Sequence, residues 1–350
     1  MKHLLIIRNS AMGDVALTVP VIKAALATYP DLKITLLSQK NFSPFFENLP
    51  RFDFLSVDFK SEYRGFWGIT RLYAKLRKTG PFDAVLDLHA VIRSWILGAY
   101  FKAAGTPVFT IDKGRSEKKA ITRQHQKVFK RLKPSYQRYA DVFDRAGFPL
   151  TLENGPWIDG REFPLAFLEE RSIFPKNKIW IGIAPFARHK WKTWPENRSA
   201  QLALELALEG YIVFLFGGGK EEASRLGSMA AQDANIHSLA GRLPLNHELA
   251  LMQRLDLMVT MDSANMHLAS LVGTPVVSVW GQTHSYAGFE PLGVSSGLKV
   301  EIDPAVLACR PCSVFGNRPC YRGDFACMNW IRVRDVKTKI KESLQENYKQ

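Results

Sequence analysis

Residues 255–284 read LDLMVTMDSANMHLASLVGTPVVSVWGQTH. One apolar run stops at Asp262, a short segment carries Ser263, Asn265 and His267, and a second apolar run starts at Val276 after a Gly-Thr-Pro turn. Continuous runs of Val, Leu, Met and Trp are the pattern of strands buried on both faces of a parallel sheet, and the segment between them suits a short helix. Ser263 and His267 are four residues apart and so lie on one face of that helix. The helix start offers unpaired N–H groups to a phosphate, whereas Asp262 would repel an anion and is better matched to sugar hydroxyls. Polar groups converging where α/β proteins dock their ligands read as one wall of a ligand site.

Working outward, strands and helices alternate along the chain. Lys2–Ile7 is a strand ending in the polar turn Arg8–Asp14, and VALTVPVIKAALATY after it reads as a helix. LKITLLS (32–38), FLSVDF (54–59) and FDAVLDL (82–88) are further strands, with helices at GITRLYAKLRKT and SWILGAYFKAAG. After a Pro- and charge-rich passage at 149–178 the rhythm restarts with KIWIGIAP, a helix at ENRSAQLALELALEGY, then IVFLFGGG, LMVTMD and PVVSVWG. Such alternation predicts βαβ units and two parallel-sheet domains in tandem, with a boundary near 155–175.

Composition agrees with that plan. A chain of 350 residues, 46% hydrophobic and 23% charged, suits a soluble globular protein with two ordinary domains. Arg8 interrupts the first apolar run, so the N-terminus does not read as a signal peptide, and no segment reaches the ~20 apolar residues of a membrane span. A cytoplasmic location is expected. The net charge of +14 is uneven: residues 1–150 hold 25 Lys/Arg against 12 Asp/Glu, and residues 151–350 hold 22 against 21. The excess is densest from Lys113 to Lys133, where nine basic residues face one acid, Glu117. A solvated helix face or loop would account for the run alone; the asymmetry favours an anionic partner for the first domain, whether nucleic acid, phospholipid headgroups or a polyanionic substrate.

Other strand ends carry candidates of their own. RNSAMGDVALTVP (8–20) places Gly13 in a tight turn, with Ser10 or Asp14 as a helix cap; Asp14 is equally placed to take a proton from a hydroxyl. PFARHKWKTWPENRSA (185–200) interleaves Arg188, Lys190 and Lys192 with Trp191 and Trp194, the makings of a phosphate-binding loop or of a basic surface loop. FLFGGGKEEASRL (214–226) lets backbone approach a ligand but matches neither the dinucleotide nor the P-loop fingerprint. Glu222, in the first turn of its helix, could accept hydrogen bonds from ribose hydroxyls.

Taken together, these segments resemble the ADP-heptose:lipopolysaccharide heptosyltransferases, glycosyltransferase family 9. MDSANMHLASLVGTPVVSVWGQTH resembles the family's D-S-G-x-x-H-L-A signature, and IIRNSAMGDVALTVPVI its opening strand and S-x-x-G-D turn. FDAVLDLHAVIRS, YQRYADVFDRAGFP and LAGRLPLNHELALMQRLDLMVT are similar to three further family blocks, so the likeness runs from about residue 3 to 293. The resemblance implies a GT-B fold, two Rossmann-like parallel-sheet domains facing across a cleft. The domains expected are an acceptor-binding one at 1–160, a nucleotide-sugar-binding one with the Cys cluster at 161–325, and a C-terminal helix at 326–350 packing back on the first. It implies inverting transfer without a required cofactor, from a nucleotide-sugar donor to an anionic lipopolysaccharide-type acceptor at an anionic membrane surface, with no nucleic acid. Asp14 matches the family's general base. Ser10, Lys192, Glu222, Asp262, Ser263 and His267 match donor-binding positions, while Arg93, Arg123 and Arg138 fall where relatives gather cations for the acceptor. Three positions depart from the pattern: Ala264 replaces the glycine of the signature, and Ala187 and Arg188 stand where two hydroxyl residues are common.

All four cysteines cluster in CRPCSVFGNRPCYRGDFAC as Cys309, Cys312, Cys320 and Cys327. This grouping admits a structural Zn or Fe site, free packed thiols, or two disulfides. Two rival functions share the sequence features: a GT-B sugar-nucleotide epimerase, which needs no anionic acceptor, and a basic nucleic-acid-binding protein. The latter lacks any helix-turn-helix, RNA-recognition or zinc-finger signature.

Overall fold

A computed structural model of the protein describes residues 1–158, 161–170, 178–290, 293 and 298–347. By its internal contacts the chain divides into two compact units, one of residues 1–114 and 133–153, the other of residues 115–132 and 154–350.

The first unit holds five parallel strands, β1 (Lys2–Ile7), β2 (Leu32–Ser38), β3 (Phe52–Ser56), β4 (Ala84–Asp87) and β5 (Val108–Thr110), in the order β3-β2-β1-β4-β5. Central β1 explains itself: Leu4, Leu5 and Ile6 are fully buried, because helices cover both faces of the sheet. The helix expected after β1 is two helices, Met12–Ala16 and Val19–Thr28, with Pro20 in the first turn of the second. A proline fits a first turn and not a helix interior, which is why the segment breaks there. On one sheet face the Gly65–Thr79 and Ile92–Ala103 helices pack Ile69, Leu72, Leu76, Leu97 and Phe101 against Leu5, Ile7 and Leu37.

The second unit holds β6 (Trp180–Ala184), β7 (Ile212–Leu215), β8 (Ile236–Ser238), β9 (Leu257–Met261), β10 (Val276–Trp280) and β11 (Leu298–Glu301), ordered β11-β10-β9-β6-β7-β8 and all parallel. The Val333–Asn347 helix was expected to return to the first domain; instead its apolar stripe, Val333, Val336, Ile340 and Leu344, joins the core beneath β10 and β11. Lys337 fastens its outer side to Glu205 and Glu209 of the Glu196–Leu208 helix, at 2.7 Å each.

Residues 115–132 also differ from the sequence expectation. They lie in the second unit, where the Lys127 ammonium donates to the carbonyls of Ala308, Cys309 and Pro311 at 3.0, 2.8 and 3.0 Å. Phe129 stacks on Tyr286, the Leu132 amide donates to the Tyr286 carbonyl, and Arg131 pairs with Glu290. Regrouping this segment dissolves the charge asymmetry seen along the sequence: the first unit carries 18 Lys/Arg against 12 Asp/Glu and the second 29 against 21.

Candidate functional site

A parallel sheet opens a crevice at its carboxyl edge where the strand order reverses. In the second unit that point lies between β6 and β9, whose ends adjoin through the Ala184–Thr260 register. Lys192, in the short turn Lys190–Lys192 after β6, reaches Asp262 at the end of β9 with 2.8 Å between Nζ and Oδ2. Both side chains are largely buried, 16% and 5% exposed, so the ammonium is held by a fixed partner rather than by water. Gly316 makes room for it, since a Cβ there would fall 2.2 Å from Lys192 Cγ.

Ser263 caps the Ala264–Leu271 helix with extended backbone, and its hydroxyl lies 3.1 Å from the Thr260 hydroxyl. His267 is buried on that helix one turn on. Glu222 sits in the first turn of the Gly219–Ala230 helix, where Oε2 accepts the Gly218 amide at 2.8 Å. A side chain on Gly217 would meet that same oxygen at 3.0 Å, so the glycine turn and the carboxylate fit each other. Of the sequence candidates in this unit, the structure joins Lys192 and Asp262 directly, with Ser263 next in the chain.

The first unit has its own reversal point, between β1 and β4. Arg8, the residue after β1, crosses it: Nη1 donates to the Leu88 carbonyl beyond β4 at 2.7 Å, and Nη2 pairs with Asp14 Oδ1 at 2.8 Å. The guanidinium also faces the Tyr139 ring at 5.7 Å, and the Tyr139 hydroxyl donates to the Asp14 carbonyl at 3.3 Å. Burial drives the Tyr139 hydroxyl well above the usual phenol range, so it stays a donor. The Arg8 side chain is 7% exposed and Asp14 32%; Asp14 Oδ1 is held by Arg8 and Oδ2 accepts the Ala11 amide at 3.4 Å, a helix-capping contact, while the carboxylate stays partly open to solvent. Ser10 is half-buried in the same turn.

Nearby, Asp87 ends β4 fully buried, accepting the His89 and Ala90 amides at 3.0 and 2.8 Å and the Ser94 hydroxyl at 2.8 Å. Burial, then the charges of Arg8 and Lys113, push His89 down to about 4, so the imidazole is neutral at pH 7. Sequence reasoning missed Arg8, Asp87, His89 and Tyr139. The available signal was Asp87, which closes an apolar run just as Asp262 does.

The three arginines assigned to an acceptor have different surroundings. Arg93 is exposed and lies over the Phe59 ring at 5.5 Å, and Arg123 is exposed in the segment grouped with the second unit. Arg138 is buried, donating to the carbonyls of Lys133 and Asp112 at 3.1 and 3.3 Å, and Gly114 has no side chain because one would collide with that guanidinium. Its packing is that of a strut.

Cys309, Cys312, Cys320 and Cys327 are free thiols. Among the described residues no group of three or more His, Cys, Asp or Glu is placed to hold a metal ion, so the expected Zn or Fe site finds no support in this geometry. Arg310, fully buried between the first two cysteines, does the fastening. It donates to the carbonyls of Gly281, Ile302, Trp280 and Thr283 and pairs with Glu301 at 2.9 Å, tying the loop after β10 to β11.

Residues 69–298 match glycosyltransferase family 9 (heptosyltransferase). The chain belongs to glycosyltransferase family 9. It is therefore a glycosyltransferase, and its whole-chain likeness to solved relatives gives it the GT-B fold. Its sequence is 26% identical over 288 residues to the lipopolysaccharide core heptosyltransferase OpsX of Haemophilus influenzae, covering 80% of this chain and 79% of that one. A family 9 glycosyltransferase from Veillonella parvula superposes with a TM-score of 0.74 at 19% identity, covering 99% of this chain and 98% of the other. The ADP-heptose lipopolysaccharide heptosyltransferase II of E. coli superposes at 0.71 with 18% identity, over 99% and 100% of the two chains.

Proposed function

We propose that this family 9 glycosyltransferase transfers a heptose from ADP-heptose to a lipopolysaccharide core acceptor with inversion at the anomeric carbon. The observation that carries the donor half is the buried Lys192 ammonium at the β6–β9 reversal point, beside the helix that starts after Ser263. Bond cleavage leaves negative charge on a nucleoside diphosphate. A preorganised cation and helix N–H groups stabilise that charge as it forms, which is the role a metal ion plays elsewhere, so the reaction needs none. Asp262, Ser263 and His267 line the sugar and phosphate side of this subsite, and Glu222 takes the ribose hydroxyls.

Asp14 is the general base. Inversion is one displacement: the acceptor oxygen attacks the anomeric carbon, its proton passes to the carboxylate, and the carbon–oxygen bond to the diphosphate breaks. One carboxylate suffices. Arg8 and Tyr139 keep it in one orientation. The acceptor's anionic character matches the exposed cations Arg93 and Arg123. Titration calorimetry with ADP, UDP and GDP, on the parent and on Asp14→Ala, tests both halves. ADP should bind most tightly, and Asp14→Ala should keep that affinity while transfer falls by about 10²–10⁴-fold. A preference for UDP or GDP would reject the heptose donor, and equal loss of binding and transfer would reduce Asp14 to a helix cap.

A further inference from the structure

The cysteine-rich stretch from Cys309 to Met328 holds no group that the transfer reaction uses, yet it is fastened at two points to the elements that carry Lys192 and Asp262. The first is the loop after β10, where Arg310 already ties Trp280, Gly281 and Thr283. Gln282 of that loop is fully buried; its carbonyl accepts the Cys312 and Ser313 amides at 3.1 and 3.4 Å, and its Nε2 donates to the Arg318 carbonyl at 2.7 Å. Gly281 has no side chain, since a Cβ there would lie 2.6 Å from Met328 Cγ. The second point is the Lys190–Lys192 turn after β6. The Phe325 ring meets Trp191 edge-on at 5.3 Å between centroids. Phe325 does so with a left-handed backbone, φ +48°, which a bulky residue keeps only where its surroundings impose it.

Between these fastenings the chain makes a turn organised by buried Ser313. Its hydroxyl accepts the Phe315 and Gly316 amides at 3.3 and 2.9 Å and donates to Asn317 Oδ1 at 3.3 Å. The turn sets Gly316, at φ +67°, against the stem of Lys192. A Cβ on Gly316 would collide with Lys192 Cγ and fall 2.7 Å from Cδ, but 3.5 Å from Cβ, so the contact is with the part of the side chain that carries the ammonium. A lysine stem has four rotatable bonds and, left alone, samples many rotamers. Here the Gly316 backbone blocks one direction while Asp262 holds Nζ at 2.8 Å.

We infer that the cysteine-rich lobe is a positioning element of the donor subsite: through Gly316 its turn at 313–317 sets the rotamer of Lys192, and with it the place of the ammonium that meets the diphosphate. Gly316 and Ser313 are positioning residues that act through Lys192, so the inference rests on reading Lys192 as the diphosphate cation. The lysine stem is softer than a turn tied at both ends, and a side chain at 316 displaces the lysine rather than the fold.

Titration calorimetry of the full chain with ADP, and with adenosine, which has no phosphate, tests this. Gly316→Ala should weaken ADP binding about tenfold and leave adenosine binding unchanged, because only the diphosphate feels a displaced ammonium. Gly323→Ala is the matched control. Gly323 lies in the same lobe at φ +81° and a Cβ there meets nothing within 4 Å, so the variant carries the same backbone cost without touching Lys192 and should bind ADP as the parent does. In a Lys192→Ala background the stem is gone, and adding Gly316→Ala should cost no further ADP affinity. Ser313→Ala, which loosens the turn without adding atoms, should weaken ADP by a smaller factor and answers the question should Gly316→Ala fail to fold. Parent-like ADP binding by Gly316→Ala and Ser313→Ala, equal losses for ADP and adenosine, or losses that add in the double variant would overturn the inference and leave the donor reading standing. Parent-like ADP binding by Lys192→Ala would instead overturn the donor reading, and the inference with it.

Discussion

Replacing Arg8 by glutamine removes the charge that holds Asp14, and the structure sets the size of the effect. At the observed 2.8 Å, two unit charges attract by about 6 kcal/mol for an effective dielectric constant of about 20. The bond to the Leu88 carbonyl, 2.7 Å long, adds about 1.5–3 kcal/mol as a hydrogen bond from a charged donor. Most of this gross gain is offset by withdrawing the guanidinium from water. Breaking a fully buried pair costs about 3–5 kcal/mol because a lone charge stays buried. Asp14 is 32% exposed, so water recovers part of that. Arg8→Gln should therefore lower the unfolding free energy by about 2–3 kcal/mol. Urea unfolding measures it, with Arg8→Lys, which keeps the charge but loses the fork geometry, falling between. If carboxylate orientation governs transfer, kcat should drop by about 10²-fold with ADP affinity unchanged, and lysine should restore part of the rate. An Arg8→Gln protein with the parent's urea midpoint and the parent's turnover would refute the reasoning.

Two further outcomes follow from buried charges in the second unit. Lys192→Ala should weaken ADP binding by about 10–100-fold in calorimetry and, by stranding buried Asp262, cost about 2–3 kcal/mol of stability; adding Asp262→Asn should recover the stability but not the affinity. Burial raises the Glu248 carboxyl from 4.5 to about 7. The folded state therefore binds this proton more tightly than the unfolded one, and the stability it contributes is complete below pH 4.5 and lost as pH rises through about 7. Glu248→Gln should raise the unfolding free energy by about 1–3 kcal/mol at pH 8 and leave it unchanged near pH 4, as thermal scans at the two pH values would show.

What could be read in the sequence was what has local rhythm. β1, β2, β9 and β10 are long apolar runs, and the polar residues at their ends flagged Asp14, Asp262 and Ser263 before any coordinates. The edge strands β5, β8 and β11 span only three or four residues, too few for periodicity to register. Arg8 reads in sequence only as a break in an apolar run; its value comes from Leu88 and Tyr139, residues 80 and 131 positions away that only folding brings near. Arg310 hides between two cysteines that draw the eye to metal chemistry. The cationic run at 113–133 was visible as composition, but nothing local says which unit it will join, because Lys127 finds its carbonyls some 180 residues downstream.

That last attachment bears on how the molecule can be taken apart. Since residues 115–132 leave the first unit, are clamped by Lys127 and Phe129, and then return, the backbone passes between the units three times rather than once. A single cut near residue 153 would yield an amino-terminal fragment trailing a segment with nothing to sit on, and a carboxyl-terminal fragment missing part of its own cover. Chimaeras that exchange the second unit between relatives would have to move two separate stretches of gene together. The halves of this transferase are thus modular in architecture without being separable in sequence.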